Sequence, residues 1–202
     1  MRLNPIEFQD VTYPFCFHDN TFTPAELEAV KAYCTDLKLE SGVVIGAEGK
    51  GAIAENRKSD VKFIMPDSNN YWIFEKIKST IEYLNERFYG FDLWGFDTMQ
   101  YTVYNEEGSK YDFHMDTTLG TERSKDAPHT RKLSMTLLLS EPSEYEGGEF
   151  QIQTGLPENP LPVEQPLGRM IIFPSLLIHR VTPIIKGTRK SLVVWCVGPK
   201  FK

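Results

Sequence analysis

Apolar positions recur at helical spacing twice, and both times in the first half of the chain. Leu27, Val30, Cys34 and Leu37 form one stripe, and Ile73, Ile77, Ile81, Leu84 and Phe88 form a longer one. Thr23-Pro24-Ala25-Glu26 sets the start of the first helix: Thr23 caps, Pro24 suits the first helical position, and Glu26 completes a capping box. Asp67-Ser68-Asn69 is placed to cap the second helix, which ends before Gly90. From Phe91 onward the period shortens to two. Strands are expected over Phe96–Tyr104, Tyr111–Asp116, Arg131–Ser140, Gly168–Phe173, His179–Thr182 and Arg189–Val197. Phe150 and Ile152 alternate with Glu149, Gln151 and Gln153, which predicts a further, half-buried strand. Residues 11–22 read as a strand and turn, and Arg57–Ile64 as another alternating strand. Turns fall at Asn105–Ser109, Glu146–Glu149, Pro174-Ser175 and Gly187-Thr188, a polar loop at Thr117–Thr130, and a proline-rich loop at 155–168. Eight or so short strands after two helices predict a mainly β fold with flanking α. The expected architecture is a double-sheet jelly roll, with the two N-terminal helices packed on the outside of its major sheet.

Composition narrows the classes. At 202 residues, with 41% hydrophobic and 12% aromatic residues, the chain can bury a full core and is read as one unit. A net charge of −6 argues against a nucleic-acid binder. Cys16, Cys34 and Cys196 are odd in number and form no CxxC pair, as in a reducing compartment. Met1–Glu7 holds no apolar leader core, and no run of about 18 apolar residues occurs, so a soluble, cytoplasmic protein without a membrane partner is expected. Residues 41–56 hold four glycines without phosphate-loop spacing; they read as a surface loop or as a lid over a substrate.

Candidate chemistry concentrates in Tyr111-Asp112-Phe113-His114-Met115-Asp116. In an extended strand, side chains two apart share a face, so His114 and Asp116 would point the same way. His179, in Leu177-Ile178-His179-Arg180, can supply a third ligand once the strands meet. Two imidazoles and one carboxylate on one face, with open positions opposite, describe the ligand set of non-haem Fe(II) oxygenases. A 2-oxo acid chelating such an ion presents a far carboxylate, for which a planar, bidentate Arg is the best partner. Arg189 follows His179 after a Gly-Thr turn and is expected on the strand antiparallel to it, with Ser191 on the same face. Arg57 and Ser59 share a face that is solvated or lines a pocket mouth. His18 and His129 read as turn and loop residues.

The spacing Tyr104, Gly108, Tyr111, His114, Asp116 resembles the Fe(II)/2-oxoglutarate dioxygenases of the prolyl 4-hydroxylase superfamily. So do Arg131–Ser134, Gly147–Phe150, His179–Pro183 and Gly187–Arg189, and Leu138–Glu149 is similar to the branch called PKHD-type hydroxylases. The resemblance covers residues 96–199 well and 1–95 in outline. It implies one dioxygenase domain over 1–202: N-terminal helices and supporting strands over 1–95, and a catalytic double-stranded β-helix over 96–199. It implies iron on His114, Asp116 and His179, 2-oxoglutarate held by Arg189 with Tyr104 and Ser191 nearby, dioxygen as oxidant and ascorbate as reductant. Trp195 matches an aromatic near the pocket floor or is a plain core residue, and Leu138 stands where some relatives carry a carboxylate-binding tyrosine. The implied reaction couples oxidative decarboxylation of 2-oxoglutarate to succinate and CO2 with C–H hydroxylation. The expected substrate is a prolyl residue in a peptide or protein. The alternatives are a free amino acid or other small molecule, or a non-catalytic metal-binding jelly roll.

Overall fold

The computed structural model describes residues 13–42, 44, 45, 51, 52, 55–117, 128–156 and 158–201. In chain order the elements are β1 (Cys16–His18), α1 (Pro24–Thr35), β2 (Glu40–Ser41), β3 (Val44–Ile45), β4 (Gly51–Ala52), β5 (Arg57–Lys58), β6 (Asp60–Ile64) and α2 (Tyr71–Phe88). There follow β7 (Gly95–Tyr104), β8 (Lys110–His114), β9 (Thr130–Leu138), a 3-10 turn (Pro142–Glu144), β10 (Tyr145–Gly147), β11 (Phe150–Ile152) and β12 (Leu161–Pro162). The last four are β13 (Met170–Pro174), β14 (His179–Val181), β15 (Ile184–Gly187) and β16 (Arg189–Gly198).

Both helices start and bury as their sequences require. The Thr23 hydroxyl accepts from the Glu26 amide while the Glu26 carboxylate accepts from the Thr23 amide, closing the capping box. Leu27, Val30 and Cys34 face inward. On α2, Ile73, Phe74, Ile77, Ile81 and Leu84 are buried. The cap of α2 differs from expectation. Asp67 accepts from the Asn69 and Asn70 amides in a turn before the helix, and the N-cap residue, Asn70, makes no side-chain cap bond. Asn70 is committed elsewhere: its buried amide donates to the Tyr33 hydroxyl and the Met65 carbonyl.

The strands form two main antiparallel sheets, ordered β1-β13-β9-β16-β7-β6-β2 and β12-β11-β14-β8-β5, with the short pairs β10-β15 and β3-β4 beside them. Alternation divides the seven-stranded sheet between two cores. Met99, Tyr101, Val103, Leu133, Met135, Leu137, Leu192 and Val194 point to the helices and join their apolar stripes. Tyr104, Ile171 and Phe173 point the other way, into a second core shared with Phe150, Ile152 and Val181 of the five-stranded sheet. The two sheets therefore face each other, and the helices cover the outer face of the larger one. No described helix is long and apolar enough to cross a membrane.

Several expectations are corrected. The described strands number sixteen rather than eight or so, because edges and crossovers pair in two- and three-residue pieces. β8 ends at His114, so Asp116 lies beyond the strand. On β11 Gln151 is buried with its apolar neighbours, its amide donating to Glu149 and its oxygen accepting from Arg180. β16 does not pair with β14; it runs between β7 and β9 in the opposite sheet. Much of the glycine-rich segment (43, 46–50, 53, 54) and of the polar loop (118–127) lies outside the described residues, so the lid expectation does too.

Candidate active site

His114 and His179 face each other across paired strands: β8 and β14 run antiparallel, with His179 opposite His114. Asp116 reaches the same point by another route. Its amide and that of Thr117 both donate to the Ser175 carbonyl, at 3.0 and 3.2 Å, which turns the chain inward past the strand end. The three ligand atoms lie within 4.8 Å of one another. Nε2 of His114 is 3.5 Å from Oδ1 of Asp116, and Nε2 of His179 is 3.4 Å from Oδ2.

The backbone fixes which nitrogens are bare. Nδ1 of His114 is 2.8 Å from the Asp112 carbonyl, and Nδ1 of His179 is 2.9 Å from the Leu177 carbonyl. A carbonyl only accepts, so each Nδ1 carries the proton and each Nε2 turns a lone pair toward the carboxylate. Burial drives the His179 imidazole down to about 4, so it is neutral at physiological pH. Burial alone would raise the Asp116 carboxyl, but the positive charge that His179 and His114 take up when they are protonated, with the Ser134 hydroxyl, outweighs it and holds the group below the carboxylate range. Lone pairs thus converge from three sides on one point. A divalent cation satisfies all three, and two imidazoles with one carboxylate suit Fe(II).

The surrounding side chains hold this arrangement. The Ser134 hydroxyl donates to Asp116 Oδ2 at 2.6 Å, so the 2.9 Å contact to Ser175 is a bond that Ser175 donates. Tyr111 stacks on the His114 ring, 3.5 Å between centroids, and the Arg57 guanidinium lies over the far face of Tyr111. Arg57 and Ser59 are both buried and bonded to each other at 3.0 Å, so this pair is not a solvated face. Arg131 grips Asp97 and reaches the Asp116 carbonyl, and its guanidinium covers the Trp195 ring. Trp195 sits across from Ser134, buried, its indole N–H without a partner among the described residues.

Arg189 opens β16 opposite Tyr104 and is 2% exposed. Nη1 donates to the Ser191 hydroxyl (3.3 Å), Nη2 donates to Gln165 Oε1 (2.8 Å), and Nε has no partner among the described residues. No carboxylate pairs with it among the described residues. Gly148 makes room for its stem: at φ 62° a Cβ there would stand 3.1 Å from Arg189 Cδ and 2.5 Å from Ile184 Cδ1. Burial raises the Tyr104 phenol, keeping it a neutral neighbour of the guanidinium. Sequence reasoning gives no site role to Ser134, Ser175, Gln165 or Arg131, although Arg131–Ser134 is one of the stretches that carry the resemblance. Alternation along β9 puts Ser134 on the inward face, a usable signal; nothing local marks Gln165.

Residues 99–197 match the family model of the 2OG-Fe(II) oxygenase superfamily. A PKHD-type hydroxylase from Janthinobacterium sp. (strain Marseille) is 38% identical over 90 residues, which is 45% of this chain and 39% of the relative. The matched stretch thus spans about two-fifths of that relative's length. In fold, the chain is similar to a prolyl-4-hydroxylase of Pseudomonas putida, with a TM-score of 0.68 and 18% identity over 95% of each chain. It is similar also to a prolyl hydroxylase of Trichoplax adhaerens solved with a hypoxia inducible factor peptide fragment. There the TM-score is 0.69, with 17% identity over 91% of this chain and 83% of the other. The match to the 2OG-Fe(II) oxygenase superfamily over residues 99–197 thus lies inside a fold shared with prolyl hydroxylases.

Proposed function

We propose that the chain is one Fe(II)- and 2-oxoglutarate-dependent dioxygenase domain, built on a double-stranded β-helix, that hydroxylates a prolyl residue in a peptide or protein. One observation carries the reading above all: a fully buried arginine, with no carboxylate partner among the described residues, shares the space between the sheets with a cluster of two bare imidazole nitrogens and a carboxylate. Leaving a buried guanidinium uncompensated is costly, and an incoming carboxylate removes that cost. Iron with 2-oxoglutarate and dioxygen supplies the oxidising power for an unactivated C–H bond.

Each side chain then has a defined task. His114, Asp116 and His179 hold the metal through atoms already aimed by backbone carbonyls and Ser134. Arg189, with Ser191 and Tyr104 beside it, takes the far carboxylate of the 2-oxo acid. Arg57, Ser59 and Trp195 line the side on which the substrate sits, and the unpaired indole N–H of Trp195 is free to donate to a substrate carbonyl. Phe150 and Phe173 pack on the His179 ring and keep water from that ligand. The peptide-bound neighbour supports a peptide substrate. The three cysteines, all free and buried, suit a reducing compartment such as the cytoplasm, where ascorbate can serve as reductant.

An anaerobic titration of metal-free protein with Fe(II) and 2-oxoglutarate tests this. The expected result is the weak visible charge-transfer band of the chelate, absent at matched concentrations in Arg189→Ala, which still binds Fe(II). Fe(II) binding without a band in the unaltered protein would instead make the domain a non-catalytic metal module.

A further inference from the structure

Arg189 is satisfied in an unusual way for a buried cation: its partners are a hydroxyl and an amide oxygen, both neutral. Leu138, across from Ser191 on the neighbouring strand, is fully buried and offers no hydroxyl to a carboxylate. The amide comes from outside the strands. Gln165 lies between β12 and β13, in a segment that crosses from the edge of the five-stranded sheet, where the Val163 amide donates to Phe150, to the face of the seven-stranded one. Its orientation is forced. Nε2 donates to the Thr136 carbonyl at 3.2 Å, which leaves Oε1 for the guanidinium; the reverse placement would set N–H against N–H and oxygen against oxygen. The neighbouring Glu164 points outward, its side chain 91% exposed, near Arg169. The charged residue of this pair faces solvent and the neutral one faces the buried cation.

We propose that Gln165 is a positioning and specificity-determining residue of the anion site. It fixes the Arg189 fork through Nη2 while leaving the positive charge uncancelled and Nε–H open. The site is thereby kept for the far carboxylate of a 2-oxo dicarboxylic acid. This rests on the 2-oxoglutarate reading above. A glutamate at 165 has the same shape, gives up the bond to the Thr136 carbonyl and would itself neutralise Arg189, pre-empting the ligand. The charge, not the packing, is what the residue withholds.

The test compares Gln165→Glu, Gln165→Ala and the unaltered protein, each loaded anaerobically with Mn(II). Calorimetry measures the dissociation constants for 2-oxoglutarate and for 2-oxobutyrate, which has the same metal-chelating end but no far carboxylate. Gln165→Glu is expected to weaken 2-oxoglutarate roughly 10- to 100-fold, the scale of losing charge-assisted hydrogen bonds. Gln165→Ala should weaken it only a few-fold, and 2-oxobutyrate should be unchanged in both. Equal 2-oxoglutarate affinity in Gln165→Glu and the unaltered protein overturns the proposal, as does a parallel loss of both ligands, which would mark Gln165 as merely structural. If the unaltered protein itself shows no preference for 2-oxoglutarate over 2-oxobutyrate, the functional reading fails, and this proposal with it.

Discussion

On its central strands the seven-stranded sheet has two buried faces, one almost wholly apolar and the other carrying most of the sheet's buried polar groups. Toward the helices stand Met99, Tyr101, Leu133, Met135, Leu137, Leu192 and Val194; on the same strands, toward the other sheet, stand Gln100, Thr102, Ser134, Thr136 and Ser191. Gln100 is 3% exposed and Thr102 1%, against 0% for Met99 and 4% for Tyr101, which alternate with them on the same strand. Burying an amide or hydroxyl contributes little net stability and costs free energy when its partners are imperfect, whereas burying apolar surface is the main driving force. The helix-facing side therefore accounts for why the chain folds. The inward side is the part of the molecule arranged for something else to bind. If that division holds, substitutions on the two faces should separate stability from binding.

The largest effect is expected inside. His179→Ala removes one of three metal ligands and leaves Asp116 with one imidazole. Metal binding, followed by calorimetry with Mn(II), should fall below detection while the far-ultraviolet circular dichroism stays that of a folded protein. Retained affinity would break the comparison, because the inward face would then hold no metal through this residue. On the other face, Leu137→Ala empties a fully buried position and should cost about 2–5 kcal/mol in urea denaturation. Its metal affinity should match that of the unaltered protein. A substitution that moved both properties together would show the faces to be coupled.

Acid sharpens the contrast further. Cys34, Cys196 and Tyr101, on the helix-facing side, are pushed by burial up to about 12 and stay neutral through the physiological range. The inward side titrates. His179 sits at about 4 in the folded protein against an ordinary value near 6.5, so between those values the unfolded chain binds a proton that the native one does not. Metal-free protein should therefore lose stability as pH falls from 6.5 toward 4, by at most about 1.4 kcal/mol per pH unit from this group. Asp116, held below its unfolded value, adds a further loss below about pH 4. Urea midpoints at pH 7, 6 and 5 check this: the slope should be shallower in His179→Asn and unchanged in Leu137→Ala.

The same division explains what could be read from the sequence. The Thr23-Pro24-Glu26 capping box and the Ile73–Leu84 stripe are local signals, and both helices form where they predict. Period-two alternation marks the long strands β7, β9 and β16, but it reports which side chains share a face and not what covers each face. Alternation alone does not mark Gln100 and Thr102 as buried, although both are. His114, Asp116 and His179 were singled out, and the chain brings them together. The route is different from an extended strand, since Asp116 is placed by long-range bonds to Ser175. Arg189 was singled out too, yet assigned to the wrong neighbour, because a Gly-Thr turn does not reveal that the chain has crossed from one sheet to the other. Gln165 lay in a proline-rich loop with no period at all. Its partners, Arg189 and the Thr136 carbonyl, are set only by tertiary structure.

Ser134 provides the smallest and most discriminating break of the comparison. Asp116 lies outside any strand, so its carboxylate direction depends on the backbone bonds to Ser175 and on the Ser134 hydroxyl. The hydroxyl occupies Oδ2 and leaves Oδ1 the freer oxygen for a metal. Ser134→Ala removes that bond and deprives the Ser175 hydroxyl of its acceptor, yet it deletes no ligand and opens almost no volume. Metal affinity should fall roughly tenfold, at the lower end of what losing a partner of a metal ligand costs. Stability should change by about 1–2 kcal/mol or less, the scale of a buried hydrogen bond. Ser134→Thr, which keeps the hydroxyl, should recover most of the affinity. The absorption bands of the Co(II)-loaded protein supply a second readout, since they follow ligand geometry rather than overall stability. If Ser134→Ala lowered stability but left affinity and the Co(II) bands in place, the polar inward face would be structural at this position. The separation of the two faces would then have to rest on the ligands and Arg189 alone.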